Sequence, residues 1–512
     1  MLVTLRLSRA ISFGCAALVW TTAAIGTARA GSAPYKDTTT GLDHYGDVQV
    51  ASSGEGTISG PDLPPDITTD NSGGVQVASA GNGGDALLQP PPVDTGRPDL
   101  FANPGQGDEA LPIGNWLIFS STFAGAAFAT NPNNDPVGGR ASPGLLLRTN
   151  TLAQNDDGIK KTIIYSNSNA QYYFNQGMGT SSGTSTNNFN TRTGVIEIYQ
   201  PVLDLIISAQ LDFTRQMDYF SSFGVNNNLS TLNSTGVGVA PSANPLPYNQ
   251  ISGSASVQKN FSDAFVILSG SVVDLTYDSS STTSAPSPNG VTYTDTGRLG
   301  YWVMPDLYAY FETSLDKRDY ATTALNSSGT ALNSSGFRSV AGLGSDHIGL
   351  FRGELYGGYQ EENYASAAIG GARGPVFGGR GSYFPVPELA INVSLDQTIG
   401  ASLLTTPTTP TTSTTSPPLT VARSTKVTSL LGQAGYALAP EWTLTGSGGL
   451  SSTTYGGINR LDTAYTLGMS VTYSVWRNFG LTFEIQRTAL NSNVPQTGFT
   501  NNVASLGLSY VY

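Results

Sequence analysis

The stretch VLDLIISAQLDFTRQMDY, residues 202–219, repeats its character every second residue. Leu203, Leu205, Ile207, Ala209, Leu211, Phe213, Met217 and Tyr219 fall on one face, interrupted by Arg215, while Asp204, Ile206, Ser208, Gln210, Asp212, Thr214, Gln216 and Asp218 fall on the other. A period of two is the signature of a β-strand with two different surroundings. One face suits hydrocarbon and the other suits water.

The connections on either side of this strand differ in kind. Before it stands the tight QPVLD (200–204); after it comes a long polar stretch from Ser221 to Asn249. From Leu111 onward the same alternation holds. The short set comprises NDDG (155–158), QPVLD, NFSDA (260–264), VMPDL (303–307), SDHIG (345–349), PVPEL (385–389), APEWT (439–443) and VWRNF (475–479). Between its members fall polar and mostly longer segments, such as QGMGTSSGTSTNN (176–188), the tandem ALNSSGTALNSSG (324–336) and TTPTTPTTSTTSPPLT (405–420), with short members near Gly456 and Asn493. Three of the tight set share a proline, an acid and an apolar residue, Pro305-Asp306-Leu307, Pro387-Glu388-Leu389 and Pro440-Glu441-Trp442; the proline presets the turn and the apolar residue starts the next strand. Eight tight turns and nine opposite loops predict 18 antiparallel strands, or 16 if two weaker segments are not strands. Long connections on every second turn are the habit of membrane barrels, with short turns on one side and long loops on the other. The chain ends on NNVASLGLSYVY (501–512), alternating to the last residue; this predicts a terminal strand paired with the first, around Trp116 to Thr130, since an open edge is not tolerated in hydrocarbon.

Composition agrees. Charged residues make up 12% of the chain, glycine numbers 60 and mean hydropathy is −0.11, whereas a soluble domain carries about a quarter charged residues. Residues 1–30, with Arg6 and Arg9, an apolar run from Ile11 to Ile25 and Ala28-Arg29-Ala30, read as a secretory signal peptide. Cys15 would leave with it, and a mature chain without cysteine has no disulfide, thiol catalysis or cysteine-ligated metal. The formal charge of −12, from 24 basic and 36 acidic residues, becomes −15 with 21 and 36 once the three leader arginines go. So acidic a chain, without a basic run, argues against nucleic acid as a partner. Residues 31–111 are Gly/Pro/Ser-rich and acidic, which predicts a disordered segment unable to bury a core; within it DVQVASSGEG (47–56) recurs as GVQVASAGNG (74–83). The barrel is expected over 112–512.

IGNWLIFSSTFAGAAFATN (113–131), ASPGLLLRTN (141–150), LDKRDYATTALNSSG (315–329), SDHIGLFRGELYGGYQEENY (345–364) and LGLSYVY (506–512), in that order, resemble the outer-membrane β-barrel porin family often associated with exopolysaccharide export. The resemblance implies a bacterial outer-membrane barrel embedded in lipid, and the closing Tyr510 and Tyr512 resemble the aromatic signal for the barrel-assembly machinery; the acidic segment falls outside the resemblance and is expected on the periplasmic side. Periplasmic export components or peptidoglycan are the partners that the acidic segment would tether.

An enzyme has little to work with. The two histidines are His44, in the acidic segment, and His347, in a tight turn; Gly179-Thr180-Ser181-Ser182-Gly183 matches a nucleophile elbow but lies in a Ser/Thr/Gly loop rather than a strand-to-helix turn. No catalytic residue, cofactor or metal is expected. Parity instead places Asp204, Asp212, Asp218, Arg298, Glu312, Asp316, Arg318, Arg352, Glu354, Arg380, Arg460, Asp462 and Glu484 on the lumen side. They read either as a screened path for a hydrophilic solute or as structural ion pairs within the wall. Barrels of 16 to 18 strands leave an aqueous channel, so a passive channel is the expected function; a structural or adhesive barrel that presents its Thr/Pro and Asn/Ser loops is the alternative.

Overall fold

The computed structural model describes residues 111–511 apart from 133–138, 175–187, 219–245, 278–288, 321–332, 349, 366–370, 387, 401–404, 407–419, 422–423, 477 and 495–497, and before them only 67–69 and 75–77. The first barrel strands are β1 (Trp116–Ala129), β2 (Ser142–Asp156), β3 (Lys160–Tyr173), β4 (Asn188–Val202), β5 (Leu205–Asp218) and β6 (Leu246–Asn260). They are followed by β7 (Ala264–Tyr277), β8 (Gly290–Met304), β9 (Leu307–Tyr320), β10 (Ser334–Ile348), β11 (Phe351–Tyr364) and β12 (Ala372–Val386). The last six are β13 (Leu389–Gly400), β14 (Ser424–Ala439), β15 (Trp442–Gly456), β16 (Leu461–Trp476), β17 (Phe479–Ser492) and β18 (Phe499–Val511). Each pairs antiparallel with its chain neighbours, and β18 pairs with β1 from Val503↔Ala129 to Val511↔Ser121, which closes an 18-stranded barrel.

Both predictions about closure hold, and the 16-strand alternative falls. The strict alternation of connections holds too: Val202 to Leu205 leaves two residues for a turn, whereas Asp218 to Leu246 leaves 27. Six of the tight turns carry a register shift just before them, as at Tyr199/Val202 and Trp302/Met304. Such bulges sharpen the strand twist at barrel rims.

A short extra strand, Leu111–Ile113, turns through Gly114 at φ +62° and pairs with Trp116–Ile118. Glycine alone enters that left-handed region without strain. This hairpin occupies the edge of β1 that extends past Val511, where β18 has run out. Leu111 therefore belongs to the barrel wall, one residue earlier than the predicted boundary. Of the acidic segment, Ile67–Thr69 and Val75–Val77 form a two-stranded ribbon; the rest, with the predicted leader, lies outside the described residues.

Burial separates the two faces. On β5, Leu211 is 56% exposed and Asp212 3%. Exposed aromatic side chains form two girdles: Tyr199, Tyr301, Tyr383, Trp442, Trp476 and Tyr510 toward the tight turns, and Phe128, Tyr172, Phe189, Phe337 and Phe377 toward the long loops. Between them the outer face is aliphatic, with Leu299, Leu355, Leu467 and Leu508 exposed. That is the apolar belt with aromatic margins of an outer-membrane barrel. Arg215, which interrupts the outer face of β5, donates to Asn249 Oδ1 on β6 at 2.8 Å near the long-loop end.

At the turn after β2, Asp157 Oδ1 accepts the backbone N–H of Ile159 at 3.0 Å and of Lys160 at 2.6 Å, while Gly158 takes φ +83°. Those two donors hold the Asp157 carboxyl below its ordinary value. A depressed carboxylate supports the turn above its unfolded value and loses that support as pH falls through the folded one. Amide protection at Ile159 and Lys160 is therefore expected to exceed that of Asp157→Asn near neutral pH and to converge with it in acid; equal protection at every pH would refute the cap.

Candidate functional site

The lumen wall is the candidate site, and its side chains are arranged by register. One row of ladder partners reads Phe265 (β7), Gly300 (β8), Tyr310 (β9), Gly342 (β10), Tyr356 (β11), Gly378 (β12) and Asp396 (β13). Each aromatic ring lies across the glycine of the next strand. A Cβ on Gly342 would stand 2.6 Å from Tyr310 Cζ, and one on Gly378 2.3 Å from Tyr356 Oη. Glycine at these positions is a demand of close approach: the ring packs against the wall where a Cβ would otherwise stand.

Arginines stack on these rings and reach across to carboxylates. Arg298 lies 4.1 Å over the Tyr310 ring, donates from Nε to Glu312 Oε2 at 2.7 Å and from Nη1 to Glu354 Oε2 at 3.2 Å. Arg380 Nη2 meets the other oxygen of Glu354 at 2.7 Å. Four strands are thus joined by two cations and two anions, with the Arg298 and Glu312 side chains 2% and 3% exposed. The same plan recurs where Arg192 sits 5.8 Å over Tyr165 and pairs with Asp212 at 3.2 Å, Ser252 donating to the same carboxylate at 2.7 Å. It recurs again where Arg338 lies 4.9 Å over Tyr356 and pairs with Asp396 at 3.6 Å. Tyr356 also donates to Asp396.

The closing seam has its own tie. Arg148 on β2 reaches over the Phe123 ring (5.3 Å), past β1 and β18, to Glu484 on β17 at 2.9 Å. Ser505 on β18 donates to the same carboxylate at 3.4 Å. Removing one partner of a buried ion pair costs about 3–5 kcal/mol. The side chains here are 9% and 19% exposed, and lumen water offsets part of that cost. Arg148→Ala is expected to lower unfolding stability by roughly 2–3 kcal/mol, with Glu484→Gln non-additive to it in a double-mutant cycle; additive losses in urea unfolding would show that the tie is absent.

Near the long-loop end Arg318 stands 3.6 Å from Asp316 and 3.9 Å from Glu362, whose two carboxylates converge above Gly336. Arg460 caps the start of β16: it pairs with Asp462 at 2.8 Å and lies 5.2 Å over Tyr455. Arg352 lies on β11 opposite Ser382.

Parity thus brings together Asp212, Arg298, Glu312, Asp316, Arg318, Glu354, Arg380, Asp462 and Glu484 as paired groups on the inner wall. Asp204 departs from expectation. It sits in the two-residue turn between β4 and β5, half exposed, and pairs with Lys259, which holds its carboxyl below the ordinary value. The bulge at Tyr199/Val202 ends the wall before it. His347, expected in a turn, falls within β10. The side chain of Asp218, the loop residues Gly179–Gly183, His44 and Tyr512 lie outside the described residues; Tyr510 faces outward against the Phe479 ring at 4.9 Å. Sequence reading missed Arg148, Arg192, Arg338 and Asp396, although all lie on the inward parity of their strands.

The model of the family described as "Putative beta-barrel porin 2" matches residues 107–511. No curated protein matches the chain. Among solved structures, the copper transporter OprC aligns at 9% identity over 79% of this chain and 82% of that one, with a TM-score of 0.43. The anion-selective porin from Comamonas acidovorans aligns at 12% identity over 78% and 99%, with a TM-score of 0.32, and the siderophore receptor PirA from Acinetobacter baumannii at 8% over 76% and 80%, with a TM-score of 0.38.

Proposed function

The chain belongs to the family described as "Putative beta-barrel porin 2", and from that premise we propose that it is a passive outer-membrane channel for hydrophilic solutes, its tight turns and N-terminal segment on the periplasmic side. The observation that carries this reading is the inner wall. Within a closed barrel of 18 strands, polar and charged side chains face inward and the aromatic rings pack against the wall at glycines. A wall built that way suits water, and barrels of this strand number enclose it. The family resemblance of its motifs favours an exopolysaccharide as the solute, whose hydroxyl and acidic groups suit a wall of mixed charge.

Single-channel recording in a planar bilayer tests this with the full chain and a no-protein control. Stepwise currents that acidic oligosaccharides block in a concentration-dependent way are the expected result. Reproducible silence from correctly folded barrel would remove the channel reading and leave a structural or adhesive barrel. Arg380 remains 24% exposed beside its partner Glu354, so Arg380→Glu is expected to shift ion selectivity toward cations if this part of the wall lines the path.

A further inference from the structure

The ladder between β12 and β13 stops early. It runs from Val386↔Leu389 to Gly378↔Asp396, although β12 continues to Ala372 and β13 to Gly400. The ladders on either side continue, to Glu362↔Ala372 between β11 and β12 and to Gly400↔Thr425 between β13 and β14. One strip of wall is therefore unzipped at its long-loop end.

Pro375 lies within the unzipped strip. Phe384 N–H donates to Leu350 C=O at 2.9 Å, so the even-numbered residues of β12 direct their backbone groups at β11. The odd-numbered Arg373, Pro375 and Phe377 then direct theirs at β13. Continued in register, Pro375 would stand opposite Ile399, and Pro375 has no N–H to give. Ile399 is instead held by a side chain. Gln360 on β11 donates from Nε2 to Ile399 C=O at 2.8 Å and accepts Ile399 N–H at Oε1 at 3.1 Å. Its amide reproduces a peptide partner, reaching across its ladder partner Gly374, whose absent Cβ would lie 3.4 Å from Ile399 Cδ1. The tip of β13 consequently lies inside β12, with Ile399 buried beside Ala372 and Val376 on the lumen side.

The geometry points to a switch: the strand tip Gln397–Gly400 has two seats, the inner one clipped by Gln360 and an outer one zipped onto the edge Arg373–Phe377, and the move between them widens the lumen. The inner seat makes the two amide bonds and buries Ile399. The outer seat offers three ladder bonds, two with Phe377 and one to Pro375 C=O, the fourth being denied by proline. Neither seat has a large excess of bonds, which is the condition for two populated states. The consequence for pore width rests on the channel reading above; the existence of two seats does not.

Disulfide trapping separates the two, in the full chain reconstituted into vesicles, in a Cys15→Ser background that removes the one native cysteine. Gly374→Cys with Ile399→Cys joins the tip to the inner face. Pro375→Cys with Ile399→Cys joins it to the edge, because the residue 375 side chain is on the outer face while the clipped Ile399 is inside. Both pairs are expected to cross-link under mild oxidant, and adding Gln360→Ala should speed the second by about tenfold, as loss of two hydrogen bonds to the inner seat requires. The Pro375→Cys substitution also supplies the missing N–H, so a 375–399 pair that stays reduced even with Gln360→Ala overturns the proposal; so does a 374–399 pair that fails to close. If both locks form, single-channel current should be smaller with the first than with the second. Locks that form in a silent barrel would support the switch and defeat the channel reading alone.

Discussion

Glu354→Ala is expected to cost the barrel about 3–5 kcal/mol of unfolding free energy, the range for removing one partner of a buried ion pair. Its two oxygens are engaged by different cations, Arg298 at 3.2 Å and Arg380 at 2.7 Å, from strands on either side of it. Without that carboxylate the local balance of two cations and two anions becomes two against one, in a place where the Arg298 side chain is 2% exposed. A folded domain has about 5–15 kcal/mol in hand, so the loss should be plain in urea unfolding of vesicle-embedded protein. Glu354→Gln keeps the volume and part of the hydrogen bonding and should fall between. The double variant Glu354→Ala with Arg380→Ala should cost less than the sum, since it removes an unpaired cation as well.

This result also decides between two readings of the inward charges. If they are wall struts, Glu354→Gln lowers stability and leaves ion selectivity nearly unchanged. If they line the path, selectivity moves and stability hardly does, because lumen water already solvates the group. A stability loss under about 1 kcal/mol would place Glu354 in the second class.

The parts of this architecture that were legible in the sequence are those that depend on one strand at a time. Residues 202–219 show their two faces directly, and tight and long connections can be counted without knowing what pairs with what. Closure also follows from one strand, because alternation through Leu508 and Tyr510 needs a partner. What escaped depends on stagger between strands. Arg148 is hidden in Leu145-Leu146-Leu147-Arg148, where the inward Leu146 breaks the visible alternation, and its partner Glu484 lies three strands away around the wall. Arg338 and Asp396 meet across two intervening strands. Asp204 misled for a related reason: parity runs on through a turn, whereas the wall stops at its bulge. The glycine count was visible, but the pairing of Gly342 with Tyr310 exists only in register.

Gly342→Val tests that pairing, and its effect should propagate beyond its own strand. A Cβ at this position would meet Tyr310 Cζ at 2.6 Å and the Leu355 carbonyl oxygen at 2.6 Å, so neither the ring nor the backbone can give way cheaply. Overpacking of this kind costs about 1–3 kcal/mol. The ring is also the platform on which Arg298 lies at 4.1 Å. Once Tyr310 is pushed off the wall toward the lumen, the guanidinium loses its stacking surface, worth up to about 2 kcal/mol when desolvated, and its reach to Glu354 is disturbed. The expected total is about 2–4 kcal/mol, accompanied by a smaller single-channel current because the displaced ring occupies the path. Tyr310→Ala in the Gly342→Val background should restore much of the current by emptying the space the valine needs, while stability recovers only in part because the platform stays missing. Equal current in parent and Gly342→Val would mean that the ring does not border the conducting path, and a full recovery of stability in the double variant would mean that Arg298 needs no aromatic platform.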